Sequence, residues 1–293
     1  MPEGKIIKAL SGFYYVLDGD SVIQCRGRGI FRKNKVTPLV GDDVVYQADN
    51  DKEGYLLEIK ERINELVRPP ISNVDQAVLV FSAKEPNFST SLLDRFLVLV
   101  EAKDIQPIIC ITKMDLAEGE IEDQIRRYAE DYRKIGYHVY LTSTKHGSGI
   151  EEIIPHFKDS ITVFAGQSGV GKSSLLNAIS PDLELKTAGI SAYLGRGKHT
   201  TRHVELIHTG GGLVADTPGF SSLEFTGIEA EDLGYTFLEI GEKSAECKFR
   251  GCLHIKEPNC AVKKAVESGD IPSYRYDHYV EFLTEIKDRK PRY

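Results

Sequence analysis

Four short stretches of this chain carry residues whose types and spacing point to chemistry. Gly166-Gln167-Ser168-Gly169-Val170-Gly171-Lys172-Ser173 fits the pattern G-x-x-x-x-G-K-[ST]. Glycines at those positions let successive backbone N–H groups turn toward one anion, and the helix expected from Lys172 onward adds the positive end of its dipole. In this reading the loop and Ser174 cradle the phosphates of a nucleotide. Lys172 reaches the β- and γ-phosphates, and the Ser173 hydroxyl binds magnesium. The flanks fit, because the apolar run Ile161–Ala165 leads in and SSLLNAIS leads out. Alone, the pattern specifies a nucleoside triphosphate and leaves the base open.

The base is addressed by Thr112-Lys113-Met114-Asp115, directly after the apolar run PIICIT. The Asp115 carboxylate would accept two hydrogen bonds, from guanine N1 and from the exocyclic amine. Adenine offers neither donor and would leave a buried carboxylate unpaired, at a cost of roughly 1–3 kcal/mol or more. The aliphatic stem of Lys113 would lie over the base, and Thr112 stands where Asn is commoner. The bland alternative, an Asp capping a helix after a strand, loses weight beside the phosphate loop. Ser143-Thr144-Lys145 suits a companion base-contacting loop.

Asp216-Thr217-Pro218-Gly219 matches D-x-x-G. Asp216 would hold the magnesium shell through water, and the Gly219 N–H would sense the γ-phosphate, whereas a plain turn at Pro218 is the alternative. Between the two phosphate motifs, Gly195–His203 (GRGKHTTRH) offers threonines that would meet magnesium only when a γ-phosphate is present. No acid occurs from Leu185 to Val204, while Lys186, Arg196, Lys198 and Arg202 are basic. Glycine-rich and uncovered, this stretch is expected to be mobile without a partner. The guanine motif precedes the phosphate loop and D-x-x-G follows it, which is a circular permutation of the usual order; chain ends lying close together permit this without changing a packed sheet. The switch after Gly219 then feeds straight into the C-terminal part.

The fourth stretch is Cys247-x4-Cys252-x-His254-x5-Cys260, three of the five cysteines and one imidazole within fourteen residues. Three thiolates and a histidine complete a tetrahedral structural zinc site and leave no position for a reactive water. Such a staple suits a short, polar C-terminal part expected to have little core of its own.

The elements that must position these residues follow from hydrophobic pattern. Short runs at Lys5–Ala9, Phe13–Leu17, Ser21–Arg26, Asp43–Gln47 and Gly54–Lys60 predict a small β-barrel of OB type. Arg68-Pro69-Pro70 reads as a linker. Then strands are expected at Gln76–Ala83, Pro107–Thr112, His138–Thr142 and Ile161–Ala165, and helices at Ser91–Lys103, Glu120–Ile135 and, briefly, Ile150–Phe157. Apolar strands alternating with helices imply an α/β domain with a parallel sheet covered on both faces. After about Ser221 the pattern turns helical. The expected division is 1–68 for an OB-fold RNA-binding domain, 69–222 for the permuted GTPase domain and 223–293 for a helical zinc-binding module.

The 293 residues suit two or three domains at about 150 residues each. A net charge of −7 excludes a global polycation, so nucleic acid would have to meet local basic patches. Ser21–Gly41 is one, with Arg26, Arg28, Arg32, Lys33 and Lys35, no acid, and Phe31 placed to stack on a base; otherwise it is a solvated basic loop. Lys287, Arg289, Lys290 and Arg292 are a weaker one. The start MPEGKIIKAL resembles no leader, and no apolar run approaches the roughly 20 residues of a membrane span, so a cytoplasmic location is expected.

TKMD, GQSGVGKS, GRGKHTTRH, DTPG and the Cys3His set, in this order behind an OB-like barrel, resemble the circularly permuted, ribosome small-subunit-dependent GTPases of the RsgA family over essentially the whole chain. The resemblance implies a late small-subunit assembly factor that binds rRNA and whose weak GTPase activity the small ribosomal subunit stimulates, using GTP with Mg2+ and one structural Zn2+. It favours Thr201 as the second magnesium ligand. Phe220 follows D-x-x-G where many GTPases carry a water-orienting Gln, so His199 is the expected catalytic substitute. A monomer is the plainer expectation. Competing readings are a metabolic enzyme using the same loop on a small acceptor, and a non-catalytic, nucleotide-regulated RNA-binding scaffold.

Overall fold

Alternation in the first sixty residues drives the chain to close on itself. In the computed structural model, which describes residues 1–50, 52–67, 69–180, 204–215 and 223–289, β1 (Glu3–Leu10), β2 (Phe13–Asp18), β3 (Ser21–Gly27), β4 (Asp43–Ala48) and β5 (Gly54–Ile59) form a closed barrel in the order β1-β2-β3-β5-β4. Every second side chain points inward, so Ile6, Val16, Ile23, Cys25, Val44, Tyr46 and Leu56 are buried. A five-residue helix, α1 (Gly29–Lys33), follows β3. Phe31 on it is half-buried and packs against the main apolar core.

Short strands flank the expected linker. β6 (Glu65–Val67) and β7 (Pro70–Ser72) pair as a ribbon, with Pro70 where its missing N–H costs least, at a strand start. Buried Asp42 fastens this ribbon to the barrel. It accepts from Arg62 Nε at 2.7 Å, Ser72 Oγ at 2.6 Å and the Leu39 N–H at 2.7 Å.

The central sheet has the order β10-β9-β8-β11-β13-β12. Here β8 is Gln76–Ser82, β9 Gln106–Thr112, β10 His138–Leu141, β11 Ile161–Ala165, β12 Leu206–Thr209 and β13 Gly212–Ala215. All neighbours are parallel except β12 against β13. Both faces are covered: Leu79 and Phe81 of β8 join one core with Leu93, Phe96 and Leu97 of α2 (Thr90–Glu101) and with Ile125 and Tyr132 of α3 (Glu120–Ile135), while Val78 and Val80 join another with Leu175 and Leu176 of α4 (Lys172–Ile179). The short helix expected over Ile150–Phe157 shrinks to a 3-10 turn at Ile154–Phe157. Pro155 supplies no N–H for a longer helix, and Ile150, Ile153 and Phe157 are held as pegs in the second core.

The C-terminal part has helices α5 (Leu238–Ser244), α6 (Ala261–Ser268) and α7 (Ser273–Asp288). Against expectation it has a core, built from Phe225, Phe237, Tyr279 and Phe282 with aliphatics, and Val98 of α2 belongs to it. Four aromatics bury enough area to make a short segment cohere. Thus α2 is shared: its Leu93, Phe96, Leu97 and Val100 face the sheet, and Val98 faces the module. Among the described residues no helix is long and apolar enough to cross a membrane.

Candidate functional site

β11 delivers the chain to the phosphate loop, and α4 takes it away with first-turn N–H groups that lack intrahelical acceptors. Gly166 sits at φ 143, and a Cβ there would lie 2.1 Å from the Val80 carbonyl oxygen, so glycine alone fits between β8 and the loop. Gly171, at φ 96, forms the N-cap of α4. Val170 is buried in the second core, so any nucleotide contact it makes is through its backbone. Gln167, Ser168 and Gly169 are exposed at the rim, Ser173 is buried, and Ser174 is half-buried. The Lys172 ammonium donates to the carbonyls of Gly166 at 2.8 Å and Gln167 at 2.6 Å, which holds the charge over the loop mouth. Burial lowers its pKa, so a nearby anion would stabilise the charged form.

The guanine-side motif begins where β9 ends. Thr112 is 2% exposed, and its hydroxyl bridges the carbonyls of Phe81, at 3.1 Å, and Val170. One hydroxyl hydrogen is shared between β8 and the phosphate loop, so Thr112 clips the two halves of the site together. Lys113 adopts φ 55, turning the chain into the 3-10 turn Met114–Leu116, and its ammonium donates to the Glu85 carbonyl. Asp115 accepts from the buried Ser143 hydroxyl at 2.6 Å. That bond, ahead of other influences, lowers the Asp115 pKa and fixes the carboxylate as an acceptor. Ser143 is itself held by backbone pairing with Ser148, at 3.1 Å in each direction. The fold therefore brings Thr112, Lys113, Asp115 and Ser143 to the same strand ends as the phosphate loop. Asp216, Gly219, His199 and Thr201 lie outside the described residues. The strand that leads to Asp216, β13, neighbours β11, which leads to the phosphate loop.

The cysteine cluster converges. The donor atoms of Cys247, Cys252, His254 and Cys260 all lie within 4.8 Å of one another. Cys247 Sγ and Cys252 Sγ are each 3.9 Å from Cys260 Sγ, and His254 Nδ1 is 3.7 Å from Cys247 Sγ and 3.4 Å from Cys260 Sγ. A tetrahedron with metal–sulfur bonds of about 2.3 Å and a metal–nitrogen bond of about 2.0 Å has edges of roughly 3.8 and 3.5 Å. The set fits a metal ion. Burial, the largest influence, pushes the Cys252 thiol up to about 12, so a bound cation would have to displace its proton.

The partners around these ligands carry no short sequence signature. Ser244 Oγ lies 2.9 Å from His254 Nε2, leaving Nδ1 for the cluster. Burial opposes ionisation of Glu257, yet the N–H groups of Leu253, Ile255 and Lys256, at 2.9 to 3.0 Å, hold its pKa low. An acid three residues beyond the histidine was the one available hint.

Comparison with known proteins follows the same lines. The family model described as RsgA GTPase matches residues 59–226, and that of the RsgA N-terminal domain matches residues 3–56. The small ribosomal subunit biogenesis GTPase RsgA of Bacillus subtilis (strain 168) is 78% identical over 298 residues, with all of both chains covered. Its counterpart from Geobacillus kaustophilus is 65% identical over 293 residues, again with both chains fully covered. Among solved structures, YloQ, described as a circularly permuted GTPase, is 74% identical with a TM-score of 0.88, covering 100% of this chain and 97% of that one. YjeQ from Thermotoga maritima is 39% identical, also with a TM-score of 0.88 and 99% of each chain covered.

Proposed function

The chain belongs to the RsgA GTPase family, and from that premise we propose that it hydrolyses GTP to GDP and phosphate as a late assembly factor of the small ribosomal subunit, binding rRNA and turning over faster when bound. The observation that carries the reading is the Thr112 clip. It joins the phosphate loop to the strand end bearing Asp115, so phosphate and base recognition share one rigid frame.

In this reading the loop from Gly166 to Ser174 grips the phosphates and Lys172 neutralises them. Lys113, Asp115 and Ser143 select guanine, with Thr112 holding the frame. Ser173 and Thr201 would hold magnesium, which spreads the phosphate charge, with Asp216 behind a water and Gly219 at the γ-phosphate. His199 is the proposed catalytic group, standing in for the missing Gln. Cys247, Cys252, His254 and Cys260 would hold one structural zinc, because the closed donor set leaves no open position. Residues 1–68 would grip RNA, 69–222 would turn over nucleotide, and 223–293 would form the zinc module. The protein would act as a cytoplasmic monomer.

Asp115→Asn tests the base assignment. An Asn amide pairs with the 2-oxo group of xanthine, so the variant should lose GTP turnover and gain turnover of xanthosine triphosphate. Unchanged GTP preference in that variant would remove Asp115 from base recognition. Unstimulated, wild-type-like intrinsic turnover combined with normal subunit stimulation in His199→Ala would likewise remove His199.

A further inference from the structure

Two adjacent residues of α2, Asp94 and Arg95, grip one stripe of α7. Arg275, His278, Phe282 and Glu285 recur at i, i+3, i+7 and i+10, the spacing of a single helix face. Asp94 takes the buried end, accepting from Arg275 Nη1 at 2.6 Å and lying 2.6 Å from His278 Nδ1. Arg95 takes the outer end. Its guanidinium forks onto Glu285, with Nη1 to Oε1 at 3.0 Å and Nη2 to Oε2 at 2.5 Å. The same planar group lies 4.5 Å from the Phe225 ring centroid and 4.7 Å from that of Phe282.

Arg95 makes one contact that packing of two helices does not require. Its Nη1 also donates to the carbonyl oxygen of Leu223 at 3.2 Å. Leu223 stands four positions after Gly219 of the D-x-x-G motif, a span of at most about 14 Å. The same short segment is caught again two residues on, where Arg289 Nη1 donates to the Phe225 carbonyl at 2.7 Å and the Phe225 ring is buried 5.0 Å from Phe282. One side chain thus ties together a helix of the nucleotide domain, the chain leaving the nucleotide-sensing motif and the long helix of the metal-binding module. An Arg can do so because its fork, its flat face and its spare N–H act at once; a Lys has no second edge.

We infer that Arg95 is a coupling residue, through which the state of the D-x-x-G motif and the placement of the C-terminal module bias one another. The inference rests on the reading of the chain as a nucleotide-dependent binder of the small subunit. Coupling is reciprocal: a nucleotide that strengthens subunit binding through this contact is itself bound more tightly on the subunit. Arg95 touches neither the phosphate loop nor the guanine-side residues, so turnover without subunits does not depend on it.

The test compares full-length wild type, Arg95→Ala and Glu285→Gln. Affinity for purified small subunits is measured with a non-hydrolysable GTP analogue and with GDP, alongside subunit-free GTP turnover, metal content and melting temperature. In Arg95→Ala the ratio of the two affinities should fall by about fivefold or more toward one. Metal content should stay at one per chain and subunit-free turnover within about twofold of wild type. Glu285→Gln, which leaves the Leu223 contact in place, should fall between the two and serves if Arg95→Ala does not fold. An unchanged ratio in a folded variant would overturn the inference, as would loss of subunit-free turnover in step with the ratio. A wild type whose affinity ignores the nucleotide would instead sink the functional reading on which the inference rests.

Discussion

The barrel and the C-terminal module flank the same nucleotide domain but are held in opposite ways. The barrel closes through its own backbone ladder, β1-β2-β3-β5-β4, and its interior is apolar. It reaches the nucleotide domain at its rim, for example through Lys8 and Glu205, whose partly exposed side chains pair at 2.9 Å. Among the described residues the module has three helices, a four-donor cluster, and a buried charge network of Arg275, Glu239 and His278 to which α2 contributes Asp94. Arg275 is fully buried, forks onto Glu239 at 2.7 and 2.9 Å, and lies 4.5 Å from the Phe237 centroid and 5.5 Å from that of Tyr132. A structure closed by backbone hydrogen bonds is self-sufficient. One closed by side chains depends on each of them and on its neighbour.

That contrast orders the expected effects. On the proposed zinc assignment, stripping the ion with a strong chelator, or substituting Cys260→Ser, should unfold the module, because structural zinc sites contribute roughly 10–16 kcal/mol of apparent binding energy to folding. Hydrogen exchange should then show lost protection over α5 to α7 while β1 to β5 and guanine-nucleotide binding persist. Loss of barrel protection as well would erase the contrast. Next comes Arg275→Met, which leaves Asp94 and Glu239 buried without their cation and should cost about 3–5 kcal/mol. The loss is read as a lower melting temperature of the module with the barrel transition unmoved.

Glu101, at the end of α2, gives a smaller effect with a defined sign. Burial raises its carboxyl to about 7 from 4.5, against the pull of Arg275. A raised acid takes up a proton on folding, so stability should fall as pH rises from about 4.5 to 7 and level off above that. The full gap is worth roughly 3 kcal/mol, trimmed to about 1–2 by its contact with solvent. Glu101→Gln should flatten that slope in melting curves taken between those pH values. Lys8→Ala is the smallest change, expected to cost under about 1 kcal/mol because the pair is solvent-screened. A loss matching that of Arg275→Met would show that the barrel, too, leans on its neighbour.

How much of this was legible in the sequence follows from contact range. The phosphate loop, TKMD and the Cys3His set are local patterns, and the alternation of β8 with the period of α3 is local too, so fold class and site position could be read directly. Thr112 was legible as a position but not as a clip, since the Val170 carbonyl it meets is 58 residues away. The Arg275–Asp94 and Arg95–Glu285 contacts join residues 181 and 190 positions apart, beyond any periodicity. The half-burial of Phe31 was not legible, because a basic loop with an aromatic reads the same whether or not the ring packs on a core. The small core expected of the C-terminal part had the same origin: four aromatics scattered along a segment rich in charged residues reveal a core only once α7 brings them together.

Phosphate release from GTP and from ATP, each with and without purified small ribosomal subunits, tests the central claim most directly. Slow release from GTP, little from ATP and a large rise on adding subunits to the GTP reaction is the predicted result. Equal release from both nucleotides, indifferent to subunits, would contradict both the guanine assignment and the ribosomal partner.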